Sequence, residues 1–418
     1  MSRELPEGWL ESQIDAISDI NPDSLPSNTS TDFRLKYIDV ATVDGPSTML
    51  EPRSMSFGDA PSRARKQVKR GDILVSTVRP YLRSFCQVLS NEPNLIASTA
   101  FAVLRPKPLV DGDFLYQHIL WERFIEHLTP RMKGSNYPAV TSGDVGAYQL
   151  LLPPFHEQRR IAEILSSVDE AIAATRAVIE QTRKVKRGVL ERLLTNGISH
   201  TRFKQTEIGE IPEEWPLTTA EEVCTQISVG IVIKPSQYYA ETGIRCFRSA
   251  NVREGFVEDA DWVYITEKGN RVNGKSVLRT GDVLVVRTGY PGTSCVVPPR
   301  YDGANCIDII FARPKNELID ATFLSTFINS KSGKTQVLKA EGGLAQKHFN
   351  VGAMKQMKLP LPPLREQREI VAHVQDFADS EAILEQTLQQ KIRIKSVLMS
   401  DLLSGRRRVT DALPMAAE

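Results

Sequence analysis

A long segment of this chain occurs twice, and the repeat limits the folds that the chain can adopt. One copy begins at Leu152 and reads LPPFHEQRRIAEILSSVDEAIAATRAVIEQTRKVKRGVLERLL, and the other begins at Leu361 and reads LPPLREQREIVAHVQDFADSEAILEQTLQQKIRIKSVLMSDLL. The offset between them, 361 minus 152 or 209 residues, holds without a gap as far as Leu194 and Leu403. Chance does not keep one register over about forty positions, so the chain contains an internal duplication.

Shorter motifs on either side of these segments also recur, with offsets that differ by a few residues. Such variation is expected for loop insertions within a shared fold. The chain, 418 residues long, therefore consists of two copies of a globular region followed by a helix. The recurring motifs are LPEGW at Leu5 and IPEEW at Ile211, GDILV at Gly71 and GDVLV at Gly281, and LRPK ending at Lys107 and ARPK ending at Lys315.

The repeated segment predicts a long amphipathic helix in each copy. Two consecutive prolines prevent helix upstream, and the Glu-Gln pair that follows suits a first turn, where negative charge meets the positive end of the helix dipole. Apolar residues then recur every three or four positions over about forty residues, or roughly 60 Å of helix. The predicted helix-pairing residues are Ile161, Leu165, Val168, Ile172, Ile179 and Leu193 in the first copy, and Ile370, Val374, Phe377, Leu384, Leu388 and Leu402 in the second.

Glu381 and Lys391 interrupt the second apolar seam. One small domain cannot cover a helix of this length, so we expect the two seams to pack on each other about a pseudo-two-fold axis. The alternative is that each helix belongs only to the core of its own domain. Beyond the second helix, we interpret Arg406, Arg407 and Arg408 as solvated cations that complement the helix dipole.

The regions between the helices contain short β-rich runs broken by glycine and proline, with helical stretches near 114–128 and 322–338. The predicted fold class is α+β: two globular domains separated by two long helices packed as an antiparallel coiled coil, with a pseudo-two-fold internal repeat. The predicted boundaries are a first domain at 1–150, a central helical spacer at 151–198, a second domain at 205–358, a C-terminal helical spacer at 359–405 and a tail at 406–418.

Charge and cysteine content narrow the functional classes. The 52 Lys and Arg residues nearly balance the 51 Asp and Glu residues, so any DNA binding must use local basic groups or a partner. The five cysteines have no CxxC spacing; they predict neither a disulfide framework nor a zinc site, and they suit a reducing cytoplasm. The apolar runs are far shorter than the ~20 residues that span a bilayer, and the first residues lack the apolar core of a secretory signal. We therefore expect a cytoplasmic protein without a membrane partner.

Motifs for catalysis or cofactor binding are weak or missing. Residues 269–276 read GNRVNGKS, which satisfies the phosphate-loop pattern GxxxxGK[ST]. Such a loop must open a helix whose amides hold the phosphates, yet only residues 277–280 separate Ser276 from the next Gly-Asp turn. The histidines do not pair at the HExxH spacing, and GxSxG and GxGxxG are absent. The sequence predicts a non-catalytic chain with no cofactor and no metal. An ATP-binding enzyme that uses Lys275 is a minor alternative.

Basic and polar residues cluster at matching places in the two copies. Their mixture of Arg and Lys with Asn, Gln, Ser and Tyr suits phosphate anchoring and the reading of base edges. For one residue alone, a solvated surface charge is the commoner explanation, but for matched clusters we expect contact with DNA. The candidate DNA-binding residues are Arg63, Arg65, Lys66, Arg79, Tyr81, Arg83, Lys133, Ser135, Asn136 and Tyr137 in the first copy, and Arg271, Lys275, Arg287, Tyr290, Gln346, Lys347 and His348 in the second.

The arrangement resembles the specificity (S) subunit of type I restriction-modification enzymes. The residues that carry the resemblance are LPPFHEQRRIAEIL and LPPLREQREIVAHV, each after a globular region and at the head of a long helix, together with GEIPEEW and the paired GDILV and GDVLV turns. The resemblance covers essentially the whole chain. It implies that each globular region is a target recognition domain that reads one half of a split double-stranded DNA sequence. It also implies that the antiparallel helices recruit two modification (M) subunits, which restriction (R) subunits join.

This role is physically consistent with the sequence. Two recognition domains about one DNA turn apart, roughly 34 Å, would read a bipartite site with unread bases between its halves. A nearly neutral chain suits the role if the M subunits hold most of the phosphates. The rival function is a non-catalytic coiled-coil scaffold or antirestriction-like interaction protein that reads no DNA.

Overall fold

The structure, a computed structural model, describes residues 5–45, 51–341 and 348–409, which divide into two compact units. The first unit contains the chain as far as Arg176 and the segment from Gln386 onward, and the second unit is Ala177–Glu385. Each unit therefore combines one β-rich domain with part of each of two long helices. The predicted α+β class is confirmed.

Two four-stranded sheets form the first β-rich domain. The first sheet is antiparallel and has the order Ser18–Ile20, Phe101–Pro106, Ile73–Ser76, Phe85–Gln87. The second sheet has the order Arg53–Ser56, Arg34–Ile38, Leu95–Ser98, Ala64–Gln67, and its two central strands are parallel. A separate antiparallel pair joins Leu10–Gln13 to Gln149–Leu152. The α-helices are Ile14–Ile17, Gly112–Leu120, Glu122–Leu128 and Ser142–Gly146, and the 3₁₀ turns are Val40–Thr42, Pro80–Leu82 and Thr129–Arg131.

The second β-rich domain repeats this plan. Its antiparallel sheet has the order Cys224–Val229, Ile309–Pro314, Val283–Val286, Ser294–Val296, and its mixed sheet has the order Tyr239–Ala240, Val263–Ile265, Ile244–Phe247, Asn305–Cys306. Shorter antiparallel pairs join Leu217–Thr219 to Lys358–Pro360, Phe203–Thr206 to Gly209–Pro212, and Val252–Arg253 to Phe256–Val257. The α-helices are Ala220–Val223, Glu267–Val272, Ala321–Asn329, Lys331–Glu341 and Val351–Gln356, and the 3₁₀ turns are Pro235–Tyr238, Ser249–Asn251, Gly274–Ser276 and Pro299–Tyr301.

The repeated GDILV/GDVLV and RPK motifs hold each antiparallel sheet together. Strands Ile73–Ser76 and Val283–Val286 are buried at every residue, which explains their continuous apolar sequence. At the start of each strand lies a buried aspartate that accepts two hydrogen bonds from an arginine of the adjacent strand. Arg105 donates Nε and Nη2 to Asp72 at 2.8 Å each, and Arg313 donates the same atoms to Asp282 at 2.8 Å each.

The two long helices are Phe155–Asn196 and Leu364–Leu402, and both begin directly after the double prolines. Within each unit they run antiparallel. In the first unit, Ile161 and Leu165 share an apolar cluster with Leu402, and in the second unit Leu194 shares one with Ile370. The predicted antiparallel packing of the helices is confirmed, and their ends also belong to the domain cores.

All twelve predicted helix-pairing residues lie out of full solvent exposure. Ile161, Leu165, Ile172, Ile179, Ile370 and Leu402 are buried, and Val168, Leu193, Val374, Phe377, Leu384 and Leu388 are half-buried.

The two residues that interrupt the second seam form polar contacts between the helices. Arg183 donates Nε to Glu381 Oε1 at 2.5 Å, and Lys186 Nζ lies 3.4 Å from Glu381 Oε2. Lys391 Nζ donates to Thr175 Oγ1 at 2.8 Å. Burial raises the pKa of Glu381, but Arg183 and Lys186 outweigh it, and the pKa is lowered overall. These polar residues therefore take part in helix pairing.

Candidate nucleic-acid interface

In the first domain, two loops that carry candidate DNA-binding residues are hydrogen-bonded to each other. Lys133 and Ala139 exchange two backbone hydrogen bonds of 2.9 Å, which closes a hairpin loop over 133–139. The amide of Arg79 donates to Pro138 O at 2.7 Å, so the hairpin is fixed to the segment after strand Ile73–Ser76. We call segments 79–83 and 133–139 together the first loop pair.

Arg79 is held by several contacts within the first loop pair. Its backbone is left-handed, with φ 49°, a conformation that a non-glycine residue rarely adopts. Its guanidinium stacks 4.5 Å from the centre of the Tyr137 ring, and its Nη2 donates to Asn136 O at 2.9 Å. Stacking and hydrogen bonding hold this cation in one position, as preorganised recognition requires.

The remaining candidates of the first domain divide into exposed and internally paired groups. Tyr81, Lys133, Ser135, Asn136 and Tyr137 are exposed at the rim of the first loop pair. In a separate segment, Arg63 is exposed with Asp39 3.9 Å away, and Arg65 stacks 4.7 Å from the centre of the Phe57 ring.

Lys66 and Arg83, two further candidates, make contacts with polar groups of the protein itself. Lys66 Nζ donates to Asn21 Oδ1 at 2.7 Å and to Phe101 O, and burial lowers its pKa to about 8. Arg83 donates to Leu120 O at 3.1 Å and pairs with Glu122. Since both cations satisfy polar groups of the protein, we remove them from the proposed contact surface.

The second domain carries a comparable arrangement, which we call the second loop pair, segments 287–290 and 348–349. The amide of Phe349 donates to Arg287 O at 3.3 Å, and Thr288 Oγ1 lies 3.1 Å from His348 Nδ1. Arg287 pairs with Asp308 and donates Nε to Phe349 O, so its side chain stabilises the contact between the two loops. Tyr290 is 82% exposed at the rim. The candidates Gln346 and Lys347 lie outside the described residues.

Arg271 and Lys275 belong to a different segment of the second domain. Arg271 lies on helix Glu267–Val272, 3.6 Å from Glu267, and exposed Lys275 lies in the turn Gly274–Ser276. The Ser276 hydroxyl is buried and bonded to Asn273 O and, at 2.8 Å, to Asn305 Oδ1. Because Val277 is already extended, Ser276 opens no helix. The geometry excludes a phosphate-binding loop here, as the sequence predicted.

A carboxylate at the head of each long helix joins that helix to its domain, a role that sequence reasoning missed. Glu157 accepts from Trp9 Nε1 at 3.3 Å and pairs with Arg408. Glu366 accepts from Trp215 Nε1 at 3.1 Å and pairs with His200 at 2.9 Å. The interpretation of Arg408 as a solvated cation was wrong, because it pairs with a buried carboxylate. The sequence did contain evidence for this contact, because the Trp motif and the Glu-Gln pair occur together in both copies.

The Gln of each Glu-Gln pair fixes the same helix to a neighbouring loop. Gln158 accepts from the amide of Asp111 at 2.9 Å and donates to Pro153 O at 2.9 Å. Gln367 accepts from the amide of Asp320 and donates to Pro362 O, both at 2.8 Å. Both Gln side chains are buried, and these contacts explain why Gln occurs at this position in both copies.

Three further observations concern cofactors and membranes. Among the described residues, no group of three or more His, Cys, Asp or Glu side chains could hold a metal ion. All five cysteines are buried and free; burial raises the pKa of Cys86, Cys224, Cys246 and Cys295 to about 12 and raises the pKa of Cys306 well above its usual value. In the described part of the chain, every helix is too short or too polar to cross a bilayer.

Fold and loops together define a class: a duplicated two-domain protein with a pair of long antiparallel helices and a matched loop pair in each domain. Over residues 6–182 and 212–393 the chain matches the family described as "Type I restriction modification DNA specificity domain". The chain belongs to this family. It is the DNA specificity subunit of a type I restriction-modification system, and specificity subunits are the non-catalytic members of these complexes. The predicted family and function are confirmed.

Individual relatives agree with this assignment. The type I restriction enzyme MjaVIII specificity subunit of Methanocaldococcus jannaschii is 28% identical over 334 residues, 77% of this chain and 76% of the relative. The EcoKI specificity subunit of Escherichia coli K12 is 23% identical over 327 residues, 73% of this chain and 67% of the relative.

Solved structures show the same fold. A chain from a structure concerned with complex assembly and conformational transition of the type I R-M system has a TM-score of 0.68 and 23% identity, covering 97% of this chain and 100% of that chain. The S subunit of a type I system from M. genitalium has a TM-score of 0.53 and 14% identity, covering 96% and 98%.

Proposed function

We propose that each domain reads one half of a bipartite double-stranded DNA target. In this proposal the target recognition domains are 1–150 and 205–358, the helical spacers are 151–198 and 359–405, and 406–418 is a tail. One observation carries the proposal. In both domains, a loop that follows the central buried strand is hydrogen-bonded to a second loop, and exposed polar and aromatic side chains line the rim.

The chemistry of the two rims supports base reading. Lys133, Ser135 and Asn136 offer hydrogen-bond donors and acceptors at the first loop pair, and exposed Tyr137 and Tyr290 can pack against the sugar-phosphate backbone or bases. Because the two rims differ in sequence, each would select its own half-site. The exposed Arg63, Arg271 and Lys275, with half-exposed Arg65, would anchor phosphates.

Two modification subunits would dock on the paired helices, and restriction subunits would join that core. The helices retain exposed apolar side chains, Val178 and Val185 on the first and Val397 on the second. Such residues favour a protein partner. We place the complex in the cytoplasm, where host DNA lies and where buried free thiols are stable.

The decisive experiment exchanges one domain. Residues 1–150 are replaced with those of another specificity subunit, the complex is assembled with its modification subunits, and methylated sites are mapped across a genome. We expect one half of the recognised sequence to change and the other half to stay. Changes in both halves would refute the independent reading of half-sites.

Point variants test the rims with an internal control. Tyr137→Ala should relax selectivity only in the half-site of the first domain, and Tyr290→Ala only in the other. Arg83→Glu is unsuitable, because it would break the Glu122 pair that supports the loop. A scaffold that reads no DNA would give an unchanged methylation pattern with both variants.

The nearly neutral charge predicts how the isolated chain behaves. We expect weak, strongly salt-dependent DNA binding by the chain alone and specific binding once modification subunits are present. Tight sequence-specific binding by the isolated chain in a mobility-shift assay would contradict this dependence on partners.

A further inference from the structure

Four basic residues lie close together on the first long helix, and they divide into two pairs with different surroundings. Arg183 and Lys186 face the second long helix and pair with Glu381. Lys184 and Arg187 are exposed, as is Arg192 further along. None of these three exposed cations pairs with a carboxylate in the described residues.

The three exposed cations share one face of the helix. Lys184 and Arg192 are separated by two steps of four residues, and Arg187 lies three residues after Lys184, so all are neighbours on the surface. Gly188 lies between them and is also exposed, and a Cβ built there would meet nothing within 4 Å. Glycine weakens a helix interior, and no packing within the described chain requires it here. A residue without a side chain suits a surface that another molecule approaches closely.

A second helix extends this basic face toward the second loop pair. Glu191, also on this face, accepts from the amide of Lys331 at 2.7 Å, which fixes the start of helix Lys331–Glu341 beside the cations. That helix exposes Lys331, Thr335 and Lys339 at intervals of four residues. Its 11 residues extend about 16 Å from that point.

We propose that Lys184, Arg187, Arg192, Lys331 and Lys339 form a basic strip that holds the phosphate backbone of the DNA next to the half-site read by the second domain. This inference rests on the proposed function and adds a phosphate-binding role for a spacer helix. Exposed cations on two adjoining helices suit a duplex, because its phosphates carry one negative charge per ~1.7 Å of axis.

The internal repeat favours DNA over a modification subunit as the occupant. Two copies of one protein partner would use equivalent positions on the two long helices. The positions equivalent to Arg187, Gly188 and Arg192 are Ser396, Val397 and Asp401, which differ in charge and size. Only Lys184 has a similar counterpart, Arg393. The basic face is therefore confined to one copy of the repeat, which suits contact with the DNA beside one half-site better than a protein partner that binds both copies alike.

The test measures the salt dependence of DNA binding. The full chain is assembled with its modification subunits and titrated with a duplex carrying its mapped target at several salt concentrations. For the triple variant Lys184→Ala, Arg187→Ala, Arg192→Ala, we expect affinity to fall about tenfold or more and the slope of log affinity against log salt to become shallower by about 2 to 3. The matched control, Arg393→Ala, removes an exposed cation at the equivalent place and should leave the slope unchanged.

Gly188→Ala provides a second variant whose folding is not in question. It should raise the melting temperature, since the added methyl meets open space, and yet weaken DNA binding. An unchanged slope in the triple variant would overturn the proposal. Loss of complex assembly instead of DNA affinity would also overturn it and would assign the strip to a modification subunit. The variant Tyr290→Ala distinguishes a failure of the basic strip from a failure of the proposed function. It should alter half-site selectivity without changing the slope of log affinity against log salt.

Discussion

The duplicated Asp-Arg pair allows one perturbation to be made twice in the same chain. Asp282→Asn removes the carboxylate charge that holds Arg313, and Asp72→Asn does the same to Arg105. Both aspartate side chains are 1% exposed, and both arginine side chains are under 20% exposed. The surroundings differ in one respect: Arg105 also donates to a second carboxylate, Asp23, at 2.5 Å. This hydrogen bond is the largest cause of the lowered pKa of Asp23.

The remaining contacts set the expected magnitudes. Breaking a buried ion pair costs about 3–5 kcal/mol when the other charge is left without a partner. After Asp282→Asn, Arg313 keeps the neutral oxygens of Gln226 and Val277, at 3.0 and 3.2 Å. We therefore expect a loss of about 3 kcal/mol from the second domain. After Asp72→Asn, Arg105 keeps Asp23, so the loss from the first domain should be smaller, about 2 kcal/mol.

Hydrogen exchange measures the two domains separately, which a single melting curve for a multidomain chain cannot do. The probes are the amides of Ile73–Ser76 and Val283–Val286, each at the centre of its sheet. Asp72→Asn should reduce protection only in the first strand and Asp282→Asn mainly in the second. A loss from Asp72→Asn that equals or exceeds that from Asp282→Asn would refute the argument from the second carboxylate.

Three further predictions concern pH. Burial and nearby Arg123 lower the pKa of His118 to about 3. The first domain should therefore lose stability as pH falls from about 6.5 toward 3, by up to about 1.4 kcal/mol per pH unit. The variant His118→Phe should abolish this contribution when hydrogen exchange is measured across an acid titration. Burial lowers the pKa of Lys66 to about 8, so stability relative to Lys66→Met should rise between pH 8 and 10.5; a flat difference would contradict the buried ammonium. The pKa of Glu381 is lowered, so its ion pairs stabilise the fold at pH values above the ordinary carboxyl pKa, and this stabilisation is lost as pH falls. We expect the loss to be under about 1 kcal/mol, and urea unfolding of Glu381→Gln should not show it.

The helices could be predicted well because their signals are local. Pro153-Pro154 and Pro362-Pro363 mark the starts, and Gly197 marks the end of the first helix, which finishes at Asn196 with Gly197 at φ +63°. A side chain at Gly197 would come within 2.6 Å of the Trp215 ring, so close packing as well as backbone conformation favours glycine there.

The polar contacts could not be predicted because they depend on residues far apart in the chain. Glu381 and Lys391 read as defects in one helix, since their partners Arg183 and Thr175 become visible only in the antiparallel register. The internal contacts of Lys66 and Arg83 could not be predicted for the same reason, because a sequence shows the charge of a side chain without its direction. The Asp-Arg pairs could have been predicted, because the GDILV/GDVLV motif and the RPK motif that supply them occur together in each copy.

The buried thiols have a practical consequence for studying this chain. Because burial raises the pKa of all five native thiols well above its usual value, they remain protonated at neutral pH and shielded from reagents, and maleimides should not react with them. A cysteine introduced at an exposed position such as Thr335 would then be the preferred attachment point for a dye. Fluorescence energy transfer from such a dye to labelled DNA could follow binding without first replacing any native cysteine.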